Sequence, residues 1–189
     1  GKFAAATGII SVALLALLLV VTGYGALRLG LGPTRGDVVR LAAFWLVSLA
    51  YIAFWLALAM LLSVVTRRAA TAALAAIALW LVFTMFAGLI AGAIADIVRD
   101  VPANATAEQV LDNARLELNV RRLSPDQLYR EATGALLNPT RQSTGIVVVQ
   151  QQDRALPSAL GLEQSLLIAW WQIVAVVAGT ILLFVAAYV

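Results

Sequence analysis

The sequence predicts an all-α membrane protein with four transmembrane helices and one sizeable polar loop. Two observations carry this. Phe3 to Leu27, Leu41 to Thr66, Ala69 to Ala95 and Ser165 to Val189 hold no Asp, Glu, Lys, Arg or His, and each stretch is 25 to 27 residues long. A hydrocarbon core of about 30 Å needs about 20 helical residues to cross. A helix buried in a soluble core rarely runs so far without a polar face. The second observation is composition: 62% of residues are hydrophobic and 12% charged, against about 25% charged in soluble domains.

The elements follow in chain order. Gly1-Lys2 precedes the first span. Arg28 to Arg40, with Gly30, Gly32, Pro33 and Gly36, reads as a turn at the membrane surface. Its glycines lack the Lys-Ser/Thr of a phosphate-binding loop, so nucleotide chemistry must come from a partner. The second span, 41–66, and the third, 69–95, are separated by Arg67-Arg68. Two adjacent arginines are costly in hydrocarbon, at about 2.5–3.5 kcal/mol each. The two spans should therefore form a tight hairpin with Arg67 and Arg68 at the surface. Residues 1–95 thus form one block of three spans.

Residues 96–164 form a polar loop with nine acids and seven arginines. Thr106-Ala-Glu-Gln109 fits a capping box opening a helix over 107–118. Ser124-Pro125-Asp126-Gln127 predicts a second helix over 125–137, with Ser124 as its cap. Leu128, Tyr129, Ala132 and Leu136 give that helix an apolar face, so the loop is a small docked subdomain. Ile146 to Val149 could be a short strand, and 159–164 a short amphipathic helix before the last span, 165–189. Asp126 and Glu131 read as solvated surface acids with no catalytic motif around them.

Several chemistries are excluded. The chain has no Cys and no His, which removes disulfides, thiol catalysis and Cys/His metal sites. The net charge of +3 comes without a basic stripe, so no nucleic acid is expected as a partner. No cofactor or metal is expected, and no catalytic residue. The spans lack the ionisable groups that intramembrane proton relays use. Basic residues tally three against three, Lys2, Arg67 and Arg68 versus Arg28, Arg35 and Arg40, so charge leaves the orientation open.

Three candidate sites remain. Trp45, Ser48, Tyr51 and Trp55 share one face of the second span. They read either as lining for a translocation path or as lipid-facing and packing aromatics. Gly88 and Gly92 form a small-xxx-small motif for helix packing, within the chain or between protomers. Trp170-Trp171 read as interfacial belt residues.

Gly1-Lys2-Phe3 opening a span, Gly36-Asp37-Val-Val-Arg, and Ser48 through Ser63-Val-Val-Thr-Arg67-Arg68 together resemble permease subunits of ABC-2 type ABC transporters. Leu123-Ser-Pro125, Tyr129 and Leu-Asn-Pro139 resemble the external loop of the NosY-like branch. The resemblance implies six spans in the full subunit, this chain being a fragment that lacks the first two. It implies a multi-pass protein of a prokaryotic plasma membrane, with residues 96–164 extracytoplasmic. Lys2, Arg67 and Arg68 would then face the cytoplasm near an ATP-binding cassette subunit. A second permease subunit, identical or different, would complete an ATP-driven exporter. The alternative is a non-transporting membrane scaffold whose loop binds a partner protein.

Overall fold

The computed structural model describes residues 2–99, 102, 104–138 and 162–188. The described residues are helical with no strand, and four helices are long and apolar enough to cross a membrane. Helix α1 spans Lys2–Leu29 and α2 spans Arg35–Thr66. The third span is α3, Ala69–Leu81, a π-turn at Val82–Phe86 and α4, Ala87–Val98. Two shorter helices follow, α5 over Ala107–Arg121 and α6 over Pro125–Leu137. The last span is α7, Leu162–Tyr188.

The first hairpin connection is shorter than the composition suggested, and the second is the expected Arg67-Arg68. Gly30 ends α1 in the left-handed region, φ +67°, where glycine carries no Cβ penalty. Thr34 then caps α2. Its Oγ1 accepts from the Asp37 amide at 3.2 Å, and Asp37 accepts from the Thr34 amide at 2.9 Å. That reciprocal pair starts the helix six residues before Leu41, so Arg35 to Arg40 are helical and not turn. At the other end, Arg67 adopts φ +54° and its amide bonds the Ser63 carbonyl at 3.0 Å. Arg67 and Arg68 are both exposed.

The main departure lies in the loop. Helix α5 does not project from the bundle but folds back along α4. The Asn113 amide donates to Asp96 at 3.1 Å and to the Arg99 carbonyl at 2.9 Å. Eight residues later the Arg121 guanidinium lies 3.8 Å from where a Gly88 side chain would begin. Gly88 is about 16 Å along the helix from Arg99. The chain reverses at Arg122 to Ser124, and α6 returns antiparallel to α2. Tyr129 meets Ser48 and Leu136 meets Arg40. Residues 107–137 thus form a re-entrant hairpin that docks, as expected, through the apolar face of α6 and is set in among the spans.

The core sits where α2, α6 and α7 meet. Val47, Ala132, Ala135, Leu136 and Ala169 form its buried cluster, with Ala43, Tyr129, Ile168 and Ile173 packed against it. Alanines at the contacts let these helices approach closely. By contrast α1 is mostly exposed, with Ile9, Val12, Leu19 and Val20 on its surface. The Phe3 and Phe184 rings stand 5.1 Å apart. This brings the start of α1 and the end of α7 together, at the end of the bundle that also carries Arg67. The expected strand at 146–149 and residues 159–161 lie outside the described residues. Glu163 and Gln164 belong to the first turn of α7.

Within the chain, the Gly88–Gly92 motif packs against no other span. Gly92 faces open space, and Gly88 meets only the end of the Arg121 side chain. The close helix approach is at Gly179 of α7, where an added Cβ would stand 3.1 Å from the Phe54 ring. Gly179→Leu should therefore destabilise the bundle by about 1–3 kcal/mol through overpacking, while Gly92→Leu should change little. Thermal unfolding of the two purified variants in one detergent checks this, and equal midpoints would refute it.

Candidate functional site

The site grows from a buried carboxylate. Glu131 of α6 is 4% exposed. The Arg122 Nε donates to both its oxygens at 3.0 Å. Gln127 Nε2 donates to Oε1 and Gln172 Nε2 to Oε2, each at 2.9 Å. Gln172 lies on α7, fully buried, about 10 Å beyond Ser165 along the span. The Arg122 guanidinium also stands 5.7 Å over the Trp171 ring, a cation–π geometry. Trp171 therefore touches this cluster while remaining partly exposed, and Trp170 beside it is more exposed still.

One expectation fails here. Glu131 is not a solvated acid but a buried partner of Arg122, in an ion pair set among the spans. The spans themselves are uncharged, but the re-entrant hairpin carries its own ion pair in among them. Such a pair survives burial only when the remaining donors and acceptors are satisfied, and the three donors on Glu131 meet that demand. Asp126 is also mostly covered, and Arg130 pairs with it at 2.7 Å.

Around α6 lies an aromatic group. The Tyr129 ring stacks on Tyr51 at 4.5 Å, and its hydroxyl and that of Ser48 hydrogen-bond at 3.0 Å. Trp80 Nε1 donates to the Tyr51 hydroxyl at 3.3 Å. Trp55 meets Tyr51 edge-on at 6.2 Å and lies 6.4 Å from Phe83. Ser48, Tyr51 and Trp55 are thus brought together with Tyr129 of the expected apolar face, and with Trp80 and Phe83, which the sequence did not single out. Trp45 stands apart, its indole N–H donating to the Ser11 carbonyl of α1 at 3.2 Å. Beside the aromatic group, Ile52, Trp55, Leu56, Ala76, Ile77 and Trp80 line an apolar cavity of about 330 Å³.

Two further side chains tie α6 in place. Ser124 does not cap its own helix with its hydroxyl. It donates instead to the Phe83 carbonyl at 3.1 Å, inside the π-turn. Arg40 Nη1 donates to the Leu136 carbonyl at 2.9 Å and to Ser165 at 3.1 Å. Arg40 counted as a surface charge in the orientation tally, but it is half-buried and joins three helices. Lys2 opens α1, and Arg67 and Arg68 lie at the same end of the bundle, away from this site. Among the described residues no group of acids could hold a metal ion.

No curated protein and no solved structure matches this chain. The family model for the ABC-2 family transporter protein matches residues 1–189. Four apolar spans with a re-entrant hairpin packed between them, and a match over the full length, place the chain in one family: it belongs to the ABC-2 family of transporter proteins.

Proposed function

We propose that this chain is the membrane-embedded permease subunit of an ATP-driven exporter, powered by a separate ATP-binding cassette subunit. The family match over residues 1–189 carries this reading. The sequence supports it from the other side: its one glycine-rich segment lacks the residues of a phosphate-binding loop. The energy therefore comes from a partner. A second permease subunit completes the pathway, and the bilayer is a prokaryotic plasma membrane. The 96–164 segment belongs to the outer side, its 107–137 hairpin entering the bundle from there, and Lys2, Arg67 and Arg68 face the cytoplasm beside the ATPase.

The face of Ser48, Tyr51 and Trp55, with the apolar cavity beside it, is the candidate lining of the path. Its chemistry suits an amphipathic or apolar substrate, since the cavity walls are aliphatic and indole carbon with few polar atoms. Trp45 pairs α1 with α2 and supports the lining from behind.

Co-expression with candidate ATP-binding subunits tests the reading. The expected result is a co-purifying complex whose ATP hydrolysis changes on reconstitution into liposomes. Inside-out vesicles should then accumulate an amphipathic dye on ATP addition. A permease that purifies without any ATPase partner would favour the scaffold instead.

A further inference from the structure

The third span is not one regular helix. Val82–Phe86 runs as a π-turn between α3 and α4, an arrangement that inserts an extra residue into the helical ladder. Isolated π-turns are uncommon and need outside support, because their carbonyls and amides are out of register with the α ladder. Here the support is visible. The Ser124 hydroxyl of α6 donates to the Phe83 carbonyl at 3.1 Å. One turn earlier, Trp80 bonds Tyr51, on which Tyr129 of α6 is stacked.

One hydroxyl inside the π-turn is left unsatisfied. Thr66, Thr133 and Thr180 each donate their hydroxyl to the carbonyl four residues earlier, at 2.8 Å, as helical threonines do. Thr84, inside the π-turn, does not. Its hydroxyl is shielded from solvent and has no hydrogen-bond partner. Thr7, near the start of α1, is the other threonine in that position. In an α turn the Thr84 hydroxyl would lie within reach of the Trp80 carbonyl. The two registers therefore satisfy different groups. The π form satisfies the Phe83 carbonyl through α6, and the α form satisfies the Thr84 hydroxyl without α6.

We propose that Val82–Phe86 is a register switch, held in its π form by docked α6 and closing to an α turn when α6 leaves. The α form takes one residue out of the bulge, so α4 turns by about 100° and shifts by about 1.5 Å relative to α3. Helix α5, bonded to α4 through Asn113, is carried with it. The re-entrant hairpin and the third span thus change state together, whatever the subunit carries.

The absence of cysteine from the chain makes the test direct. Spin labels at Val65→Cys and Leu89→Cys, both exposed sites, report the position of α4 against α2 in lipid nanodiscs. A second pair, Val65→Cys with Leu74→Cys, reports α3 as a control. A turn of about 100° moves a label on the helix surface by about 8 Å. A chain lacking Met85 loses the extra residue and keeps α4 in its π-form orientation, so it supplies the reference distance for the π form.

Ser124→Ala should raise the population at the α-form distance about fivefold to tenfold, the worth of one hydrogen bond. Thr84→Val should lower it, because the hydroxyl that favours the α form is gone. The control pair should not move. If the chain lacking Met85 does not fold, the opposite signs of the two point variants still decide the matter. A single unchanged distance in wild type, Ser124→Ala and Thr84→Val would overturn the proposal, as would shifts of the same sign. The readout needs no ATPase partner, so it stands or falls apart from the transport reading.

Discussion

Glu131→Ala is expected to cost the fold about 3–5 kcal/mol, the range for removing one partner of a buried ion pair. The carboxylate is shared by three donors from three places: Arg122 in the hairpin turn, Gln127 on α6 and Gln172 on α7. Its removal takes the acceptor from all of them at once, in a site closed to water. The substitution also shortens a side chain against buried Ala132, Ala135 and Gln172. The thermal midpoint in detergent should fall by on the order of 10 °C. Glu131→Gln keeps the shape and one acceptor oxygen, so its loss should be smaller but clear. The control is Glu108→Ala, an exposed acid on α5, where the change should stay within about 0.5 kcal/mol. Equal midpoints for Glu131→Ala and Glu108→Ala would mean that the buried cluster does not hold the hairpin in place.

The four spans were legible in the sequence because lipid imposes a strong and local rule: about 20 residues without charge. The start of α6 was legible for a similar reason, since Pro125 and Asp126 are local signals of a first turn, although the Ser124 hydroxyl turns out to bond Phe83 instead of capping. What escaped were features decided by distant partners. Thr34 and Asp37 form a capping box, but the surrounding glycines and proline drew attention to a turn. Glu131 looks like any loop acid until Gln172, 41 residues away, is seen against it. The π-turn has no signature of its own, since Val82-Phe-Thr-Met-Phe86 is ordinary span sequence. Gly179 was passed over although Ala175-Val-Val-Ala-Gly179 has the same small-xxx-small spacing. Its meaning comes from Phe54 on another helix. Ser48, Tyr51 and Trp55 were picked out by spacing alone, and spacing cannot say that Tyr129 from the loop would complete the group.

Arg40→Ala should be the second most damaging single change, and it should act at a defined place. The Leu136 carbonyl belongs to the last turn of α6, where carbonyls have no partner within the helix. Arg40 supplies one, and a cation at a helix C-terminus is favourable for the dipole as well. The same nitrogen holds Ser165, which is fully buried at the start of α7. A hydrogen bond to a charged group is worth about 1.5–3 kcal/mol. Losing these contacts should therefore lower stability by about 2–4 kcal/mol. Hydrogen–deuterium exchange should show where the loss occurs. The Asn138 amide, bonded to the Gly134 carbonyl at 3.0 Å, should exchange faster together with the last turn of α6. Arg40→Lys keeps a positive charge that can donate to both acceptors from one nitrogen, but on a shorter, more flexible stem without the rigid guanidinium plane, so it should recover only part of the loss. Arg35→Ala, one turn earlier on α2 and exposed, separates this from any general effect of removing charge near the membrane surface. If Arg35→Ala and Arg40→Ala raise exchange equally, then α6 is held by its apolar face alone. If only Arg40→Ala does, a single guanidinium fastens the re-entrant hairpin to two spans at once.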